Sequence, residues 1–315
     1  MTSSGSMEIV SKSYTDGSKA GDLFRVNKGV NRSCRDVLGE LRVRAGMTLN
    51  LSKRPNGTRC LLYFAVNYDV KYLDLLAYSL NALYKFENTS YYDVLVICPA
   101  GFEGRIRNMV NDGRIKLKCM NLFFMHVPMA KDGVEASMNK LKIYKWGHIA
   151  DYERIMFVDA DVVFVKPPCE VFALSPTPGI LHSTSYAKYL GLHQQSYFGI
   201  SLYSRADMEE FERRGIYAFN AGQFYFLNSE YMLKHLANVD WLTTNWPGVY
   251  FFEQSFMNFY FNSMAMSDIN LLYDKIQLMA LPDFEIAACK KAEVNKEDLI
   301  ALHFAGYPTE GKRKM

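Results

Sequence analysis

Asp159 and Asp161 are the strongest candidates for a functional site in this sequence. They interrupt a run of apolar, mostly β-branched or aromatic residues at 155–165, the composition of a strand buried on both faces of a parallel sheet. An unpaired buried carboxylate costs several kcal/mol. Either the strand therefore reaches the surface at this point, or a cation lies against the pair.

Residues two apart in a strand point to the same face, so the sequence predicts that Asp159 and Asp161 present their oxygens to one ion at the edge of a sheet. Oxygen ligands suit Mn²⁺ or Mg²⁺, which typically bridge a carboxylate to the phosphates of a substrate. An isolated Asp-x-Asp triplet more often marks a turn or loop. Here the apolar residues on both sides of the triplet favour a functional role for the two carboxylates. We therefore expect a metal and diphosphate site.

The elements that must position this pair begin with a β-α-β unit. Residues 60–66 and 93–98 are continuous apolar runs typical of buried strands, and residues 72–84 between them have apolar side chains at helical spacing. Ligands of open parallel sheets bind at the carboxyl ends of the strands, so 65–69 is the expected place for a nucleotide. The glycine-rich motifs of dinucleotide and P-loop sites are missing there, which argues against those two classes.

The remaining elements are less regular. The patterns predict helices over 104–110, 137–152, 206–215, 231–242 and 251–261, and strands over 122–127, 219–227 and 299–306. After Pro167 and Pro168 we expect mainly antiparallel and loop structure. Ala221 and Gly222 leave a gap in the strand 219–227, and glycine within a strand often lets backbone or ligand approach closely.

Composition limits the class of protein. The 315 residues suffice for one large α/β domain or two small ones, and a hydrophobic content of 49% indicates a folded protein. A net charge of +3 does not imply nucleic acid, and six widely spaced cysteines fit buried, reduced thiols. No stretch approaches the about 20 apolar residues of a membrane span, and the start lacks the apolar core of a signal peptide, so we expect a soluble, cytoplasmic protein.

The charge is unevenly distributed. Residues 1–57 hold ten basic against five acidic residues, so the surplus positive charge lies in this segment. We predict that 1–57 is a basic, partly flexible N-terminal extension, that 58–308 is one domain, and that 309–315 is a basic tail. The default interpretation of the extension is a solvated segment, and contact with an anionic acceptor or surface is the alternative.

The order of these segments resembles glycosyltransferase family 8, the glycogenin-like retaining sugar transferases with a GT-A fold. The matching motifs, in order, are Ala65-Val-Asn67, Asn139-Lys-Leu141, Phe157-Val-Asp-Ala-Asp161, Phe219-Asn-Ala-Gly222 and His303-Phe-Ala-Gly306. The resemblance covers residues 60–307. It implies an α/β protein with a Rossmann-like mixed central sheet flanked by helices, in a single domain that follows the extension.

The resemblance also implies roles for particular residues. Asp159, Asp161 and His303 would hold Mn²⁺, or alternatively Mg²⁺, on the diphosphate of a UDP-sugar. Positions 65, 67 and 69 match uridine contacts, position 220 matches a contact to the donor sugar, and positions 253 and 254 match the pair beside the anomeric carbon. The implied catalytic residues are Lys140, Asn220, Glu253 and Gln254, and the implied cofactor-binding residues are Ala65, Asn67, Asp69, Lys140, Asp159, Ala160, Asp161, Asn220, Ala221, His303, Gly306 and Lys312.

Two features depart from the family's pattern. Gly306 is followed by Tyr-Pro-Thr-Glu-Gly-Lys instead of the family's Gly-x-x-Lys-Pro-Trp, and Glu253 stands where an Asp is common. The phosphate-binding lysine is therefore not fixed by the match. Retention of configuration allows a covalent glycosyl-enzyme or same-face attack assisted by the leaving phosphate, and the sequence leaves both open.

Two other interpretations compete. The triplet at Asp159 also fits the Asp-x-Asp-x-Val pattern of haloacid-dehalogenase-like phosphohydrolases, although a long α/β stretch precedes it and no Asp-Asp pair follows. A sugar-nucleotide-binding protein without catalysis would keep the same fold. We expect a UDP-sugar-dependent hexosyl- or pentosyltransferase that acts on a glycan, a protein or a small polyol, with no nucleic-acid partner. Self-association into a homo-oligomer stays open.

Overall fold

The computed structural model describes residues 59–86, 91–117, 121–187, 202–245, 252–279 and 297–304. The extension 1–57, the tail 309–315, Gly306 and Lys312 lie outside the described residues. Within those ranges, no helix is both long enough and apolar enough to cross a membrane. Three cysteines fall in the described part of the chain; Cys60 and Cys98 are buried, Cys169 is half-buried, and all three are free thiols.

The described elements alternate strands and helices along most of the chain. Their bounds are β1 (Cys60–Ala65), α1 (Lys71–Tyr84), β2 (Tyr92–Cys98), α2 (Ala100–Asn111), β3 (Leu122–His126), α3 (Gly133–Met138), two 3-10 helices (Asn139–Lys145 and Ile149–Asp151), β4 (Arg154–Val158), β5 (Val162–Phe164), α4 (Cys169–Phe172), β6 (Leu181–His182), β7 (Ser185–Ala187), α5 (Arg205–Arg213), β8 (Ala218–Phe219), β9 (Gln223–Leu227), α6 (Glu230–Asn245), α7 (Phe252–Ser263), β10 (Ser267–Asp268), β11 (Ile276–Leu278) and β12 (Ala301–His303).

A mixed sheet of seven strands, in the order β10-β6-β9-β4-β1-β2-β3, forms the centre of the fold. Strand β1 pairs in parallel with β2 on one side and with β4 on the other, which confirms the predicted β-α-β unit. Strand β9 runs antiparallel to both β4 and β6. The parallel strands place their carboxyl ends at one edge, and β4 carries Asp159 to that edge.

Strands β1, β2 and β4 in the central sheet are apolar at almost every position, and both of their faces are buried. One face packs against α1 and α2. The leucines of α1 at 73, 76, 80 and 83 have the helical spacing that the sequence predicted. The other face packs against α6 and α7. The result is a sheet between two helical layers, and this rigid centre fixes where β4 ends.

A second, smaller sheet positions His303. Its strand order is β11-β12-β5, and β12 runs antiparallel to β5 with His303 opposite Val162. The backbone N–H of Phe304 donates to the carbonyl oxygen of Asp161 at 3.1 Å. The last described strand therefore brings its histidine to the residues that follow β4.

Three predictions about element boundaries are wrong. The helix expected over 137–152 is instead α3 followed by two 3-10 helices, separated by the Trp146–His148 segment, in which Gly147 disfavours a continuous helix. The strands expected over 155–165 and 219–227 are each two strands, interrupted at 159–161 and at 220–222. Both interruptions lie at the site described next.

Candidate metal centre

Asp159 and Asp161 lie in a turn between β4 and β5. The backbone N–H of Val162 donates to the carbonyl oxygen of Asp159 at 3.0 Å, which closes the turn. Ala160 between the two acids is buried. The two carboxylates therefore come together through a turn, and the strand alternation that the sequence suggested is the wrong reason for their proximity.

The turn brings the two carboxylates to His303. One ligand atom from each of Asp159, Asp161 and His303 lies within 4.8 Å of the others, and His303 Nε2 is 3.3 Å from Asp161 Oδ1. His303 is buried, and its Nδ1 has no hydrogen-bond partner among the described residues. The Asp159 side chain remains 34% exposed, so the cluster can be reached from outside.

Gly222 makes the close packing of this cluster feasible. A Cβ atom on Gly222 would fall 2.3 Å from His303 Cε1 and 2.7 Å from Asp159 Oδ2. The Gly222 carbonyl accepts the backbone N–H of Asp159 at 2.7 Å, and the Gly222 N–H donates to Asn220 Oδ1, also at 2.7 Å. The gap that the sequence showed at 221–222 thus admits an imidazole and a carboxylate from this same chain.

Lys140 is buried beside the cluster, and all three of its N–H donors are used. The ammonium lies 3.0 Å from Asp159 Oδ1, 2.7 Å from Glu253 Oε1 and 3.1 Å from the carbonyl oxygen of Ala221. Burial alone would lower the pKa of Lys140, but the two carboxylates outweigh it and the net pKa is raised. Lys140 is therefore a permanent cation that holds Asp159 and Glu253 in place.

The pKa of the Asp159 carboxyl is raised as well. Burial is the main cause of the rise and the adjacent Asp161 adds to it, while Lys140 and His303 lower the pKa without cancelling the rise. Two acidic groups this close favour any additional positive charge between them. The electrostatics of the cluster thus suit a cation.

Helix α7 contributes the next two candidate residues. Glu253 is buried and paired with Lys140, and Gln254 Oε1 accepts the backbone N–H of Ala221 at 3.0 Å. The structure therefore brings Lys140, Asn220, Ala221, Glu253 and Gln254 to the Asp-x-Asp turn, and their roles toward a donor stay a prediction. These contacts fix the local backbone and the carboxylate positions around the turn.

The candidate uridine residues lie at the carboxyl end of β1. Ala65 ends the strand. The Asn67 carboxamide makes three hydrogen bonds to the backbone: it donates to the Pro128 carbonyl at 2.9 Å and accepts the N–H groups of Tyr68 and Ala130. Asp69 accepts the N–H of Lys71 at 2.9 Å. Asn67 thus joins two loops at the sheet edge, and its contact with a nucleotide stays a prediction.

Tyr72, which the sequence analysis did not single out, lies near the cluster. Burial raises the pKa of this half-exposed tyrosine, and Asp161, Asp159 and Asp69 add to the rise, so its phenol lies in the electrostatic field of the cluster. Its place in the first turn of α1, after the carboxyl end of β1, was the signal that could have identified it.

Comparisons with known proteins support the fold. No protein-family profile matches the sequence, and no curated protein matches it. The apo structure of WbbM, a bifunctional glycosyltransferase, matches with a TM-score of 0.51 at 14% identity, over 80% of this chain and 46% of that chain. The galactosyltransferase LgtC, solved with donor and acceptor sugar analogues, matches with a TM-score of 0.51 at 12% identity, over 81% of this chain and 94% of that chain.

The α/β fold expected from the resemblance, the GT-A fold, is confirmed. Membership of family 8 stays a prediction.

Proposed function

We propose that this protein is a retaining glycosyltransferase that moves a hexose or pentose from a UDP-sugar to a glycan, a protein or a small polyol. The observation that carries the proposal is the convergence of Asp159, Asp161 and His303 within 4.8 Å, at the carboxyl edge of a sheet. The fold is shared with glycosyltransferases, which supports the assignment. At this edge of an α/β sheet, nucleotides and their phosphates commonly bind.

The donor set fits the proposed cofactor. Two carboxylates and one imidazole are ligands that Mn²⁺ accepts, and Mg²⁺ is the alternative. The absent Cβ of Gly222 keeps the imidazole and the carboxylates close enough to share one ion. When bound, the ion supplies a Lewis acid that offsets the negative charge developing on the leaving UDP.

Other residues of the chain would place the donor. Lys140 fixes the carboxylates of Asp159 and Glu253. We assign Asn220 to a contact with the donor sugar, and Glu253 and Gln254 to positions beside its anomeric carbon. Ala65, Asn67 and Asp69 are assigned to the uridine end. Gly306 and Lys312 are further candidates for binding the donor, and the match does not fix which lysine of the tail contacts the diphosphate. The GT-A fold argues against the haloacid-dehalogenase-like alternative.

The decisive experiment measures UDP release from UDP-glucose, UDP-galactose, UDP-xylose and UDP-glucuronic acid, with and without Mn²⁺. We expect release from one of these donors that depends on the metal and is lost in Asp161→Ala. Asp112→Ala is the matched control, because Asp112 is exposed and pairs only with the nearby Arg114 in the described structure. NMR of the glycosylated product tests retention at the anomeric carbon.

The other outcomes identify the alternatives. Phosphate release without any nucleotide sugar would favour the phosphohydrolase. A rise in the melting temperature with UDP and Mn²⁺, but no UDP release from any donor with any acceptor, would favour a binding protein without catalysis. A ligand at about 100 times its Kd should stabilise the fold by about 2.7 kcal/mol, which a thermal shift assay detects readily.

A further inference from the structure

A stripe of carboxamide side chains runs along α7 at Gln254, Asn258 and Asn262. Residues four apart lie on one face of a helix, so these three side chains point the same way. Asn258 and Asn262 are fully buried. Polar side chains on a buried helix face need hydrogen-bond partners, and the partners here are backbone groups of the segment that leads into the metal centre.

The three carboxamides contact alternate residues of that segment. Gln254 Oε1 accepts the N–H of Ala221 at 3.0 Å. Asn262 Nδ2 donates to the carbonyl oxygen of Tyr217 at 3.2 Å. Four helical residues rise about 6 Å and two strand residues rise about 6.6 Å, so the stripe matches the repeat of an extended chain.

Asn258 makes the central and strongest contact. Its Oδ1 accepts the N–H of Phe219, and its Nδ2 donates to the carbonyl oxygen of the same residue, both at 2.8 Å. Residues of an antiparallel ladder exchange the same pair of hydrogen bonds. The side chain of Asn258 therefore substitutes for a neighbouring strand along one side of β8.

The intervening residue Asn220 bonds to the opposite side. Its N–H donates to the carbonyl oxygen of Thr184 at 3.2 Å, and its own carbonyl accepts the hydroxyl of Ser183 at 2.6 Å. The backbone at 219–221 is thus held from both sides. The next residue, Gly222, packs on His303 and accepts the N–H of Asp159.

We propose that Asn258 is a positioning residue for the metal centre: by holding the backbone of Phe219 it sets Gly222, and through Gly222 it sets His303 and Asp159. The inference concerns the site of the proposed function and rests on it for its purpose. The hydrogen bonds between Asn258 and Phe219 exist whether or not the protein transfers a sugar. The Asn258 side chain also bonds within its own helix, to the Gln254 carbonyl at 2.9 Å and to the Asn262 carboxamide at 3.4 Å.

The test compares Asn258→Leu with Asn228→Leu. Asn228 is a buried carboxamide that donates to the carbonyl oxygens of Ile149 and Tyr152, and it follows the end of β9 that lies away from the centre. We expect Asn258→Leu to weaken the binding of Mn²⁺ alone by about tenfold or more, the usual effect of losing the support of a metal ligand. Asn228→Leu should leave the Mn²⁺ affinity unchanged at a similar loss of stability. Electron paramagnetic resonance of free Mn²⁺ measures both affinities.

A second readout needs no metal. The Cε1 resonance of His303, assigned by its loss in His303→Gln, should shift in Asn258→Leu because Gly222 packs on that carbon. It should stay in place in Asn228→Leu. Asn258→Asp keeps the acceptor for the Phe219 N–H and should restore part of the affinity and of the shift. It also replaces the leucine variant if that variant does not fold.

Equal changes in both leucine variants, or a wild-type affinity and resonance in Asn258→Leu, would overturn the positioning role. If the unmodified protein binds no Mn²⁺, the proposed function fails. The resonance of His303 still decides the inference about Asn258 in that case.

Discussion

Gly222 lies so close to His303 that a Cβ atom on the glycine would fall 2.3 Å from the imidazole Cε1. The same atom would fall 2.7 Å from Asp159 Oδ2 and 2.8 Å from Asn220 Oδ1. None of these neighbours can move freely: His303 is paired in β12, and Asp159 donates its N–H to Gly222. The position therefore requires a residue without a side chain because of space, and backbone conformation is not the reason.

Gly222→Ala should damage the metal centre more than the fold. The added methyl group pushes His303 and Asp159 apart, so we expect a loss in Mn²⁺ affinity of about tenfold or more. Overpacking should lower the free energy of unfolding by about 1–3 kcal/mol. Metal titration and denaturation with urea measure the two effects.

Gly104→Ala is the control for this substitution. Gly104 lies within α2, and a Cβ atom there meets nothing within 4 Å. Alanine should stabilise the helix by about 0.5–1 kcal/mol and leave the Mn²⁺ affinity unchanged. A Gly222→Ala protein that binds Mn²⁺ as tightly as this control would show that the centre does not depend on the close packing.

Lys140→Met should destabilise the protein strongly. It leaves Glu253 buried without its cation and removes the partner of Asp159. Breaking a buried ion pair from one side typically costs about 3–5 kcal/mol. Urea denaturation at neutral pH measures the loss.

The double variant Lys140→Met with Glu253→Gln should recover part of the stability lost in Lys140→Met, because the neutral amide no longer needs a cation. Lys131→Met, which changes an exposed lysine, should alter the free energy of unfolding by less than about 0.5 kcal/mol. Equal losses in Lys140→Met and Lys131→Met would mean that the buried ion pairs contribute nothing.

The sequence predicted the elements that have a clear local pattern. The leucines of α1 repeat with the period of a helix, β1 and β2 are continuous apolar runs, and the structure confirms these three elements. That Asp159 and His303 lie close together was implied by the resemblance to glycosyltransferase family 8. Composition and spacing alone could not pair two residues so far apart in the chain.

The sequence could not predict the breaks at 159–161 and 220–222. Both runs are apolar on either side, so a local pattern extends each strand through them. The break at 159–161 is a turn closed by the hydrogen bond from the Val162 N–H to the Asp159 carbonyl. At 220–222 the N–H groups of Gly222 and Ala221 bond to side chains, those of Asn220 and, from α7, Gln254. Tertiary contacts of this kind override local preference.

The burial of Lys140 was hidden for the same reason. A lysine in a helical pattern is by default a surface charge, and its carboxylate partners Asp159 and Glu253 come from other elements. The Asn67 carboxamide likewise gives no sign in the sequence that three backbone groups already engage it. A motif indicates which residues gather at a site. Only the structure shows which of their polar groups are already bonded.

The last prediction concerns stability in acid and depends on His235 in α6. Its Nδ1 lies 2.7 Å from the Tyr260 hydroxyl, and the ring packs on Tyr231. Its Nε2 is buried and has no hydrogen-bond partner in the described part of the chain. Burial lowers the pKa of His235 to about 4, so the folded protein keeps this imidazole neutral while the unfolded chain takes up a proton below about pH 6.5.

The unfolded state therefore binds more protons between pH 6.5 and pH 4, and stability is lost as the pH falls through this window. We expect His235 to contribute a slope of up to about 1.4 kcal/mol per pH unit to the free energy of unfolding. His235→Gln should flatten the profile by that amount. Some slope should remain, because burial also lowers the pKa of His182. His148→Gln, which changes an imidazole that is 69% exposed, is the control and should leave the pH profile of stability intact. Identical profiles for His235→Gln and the unmodified protein would contradict the role of His235 in acid stability.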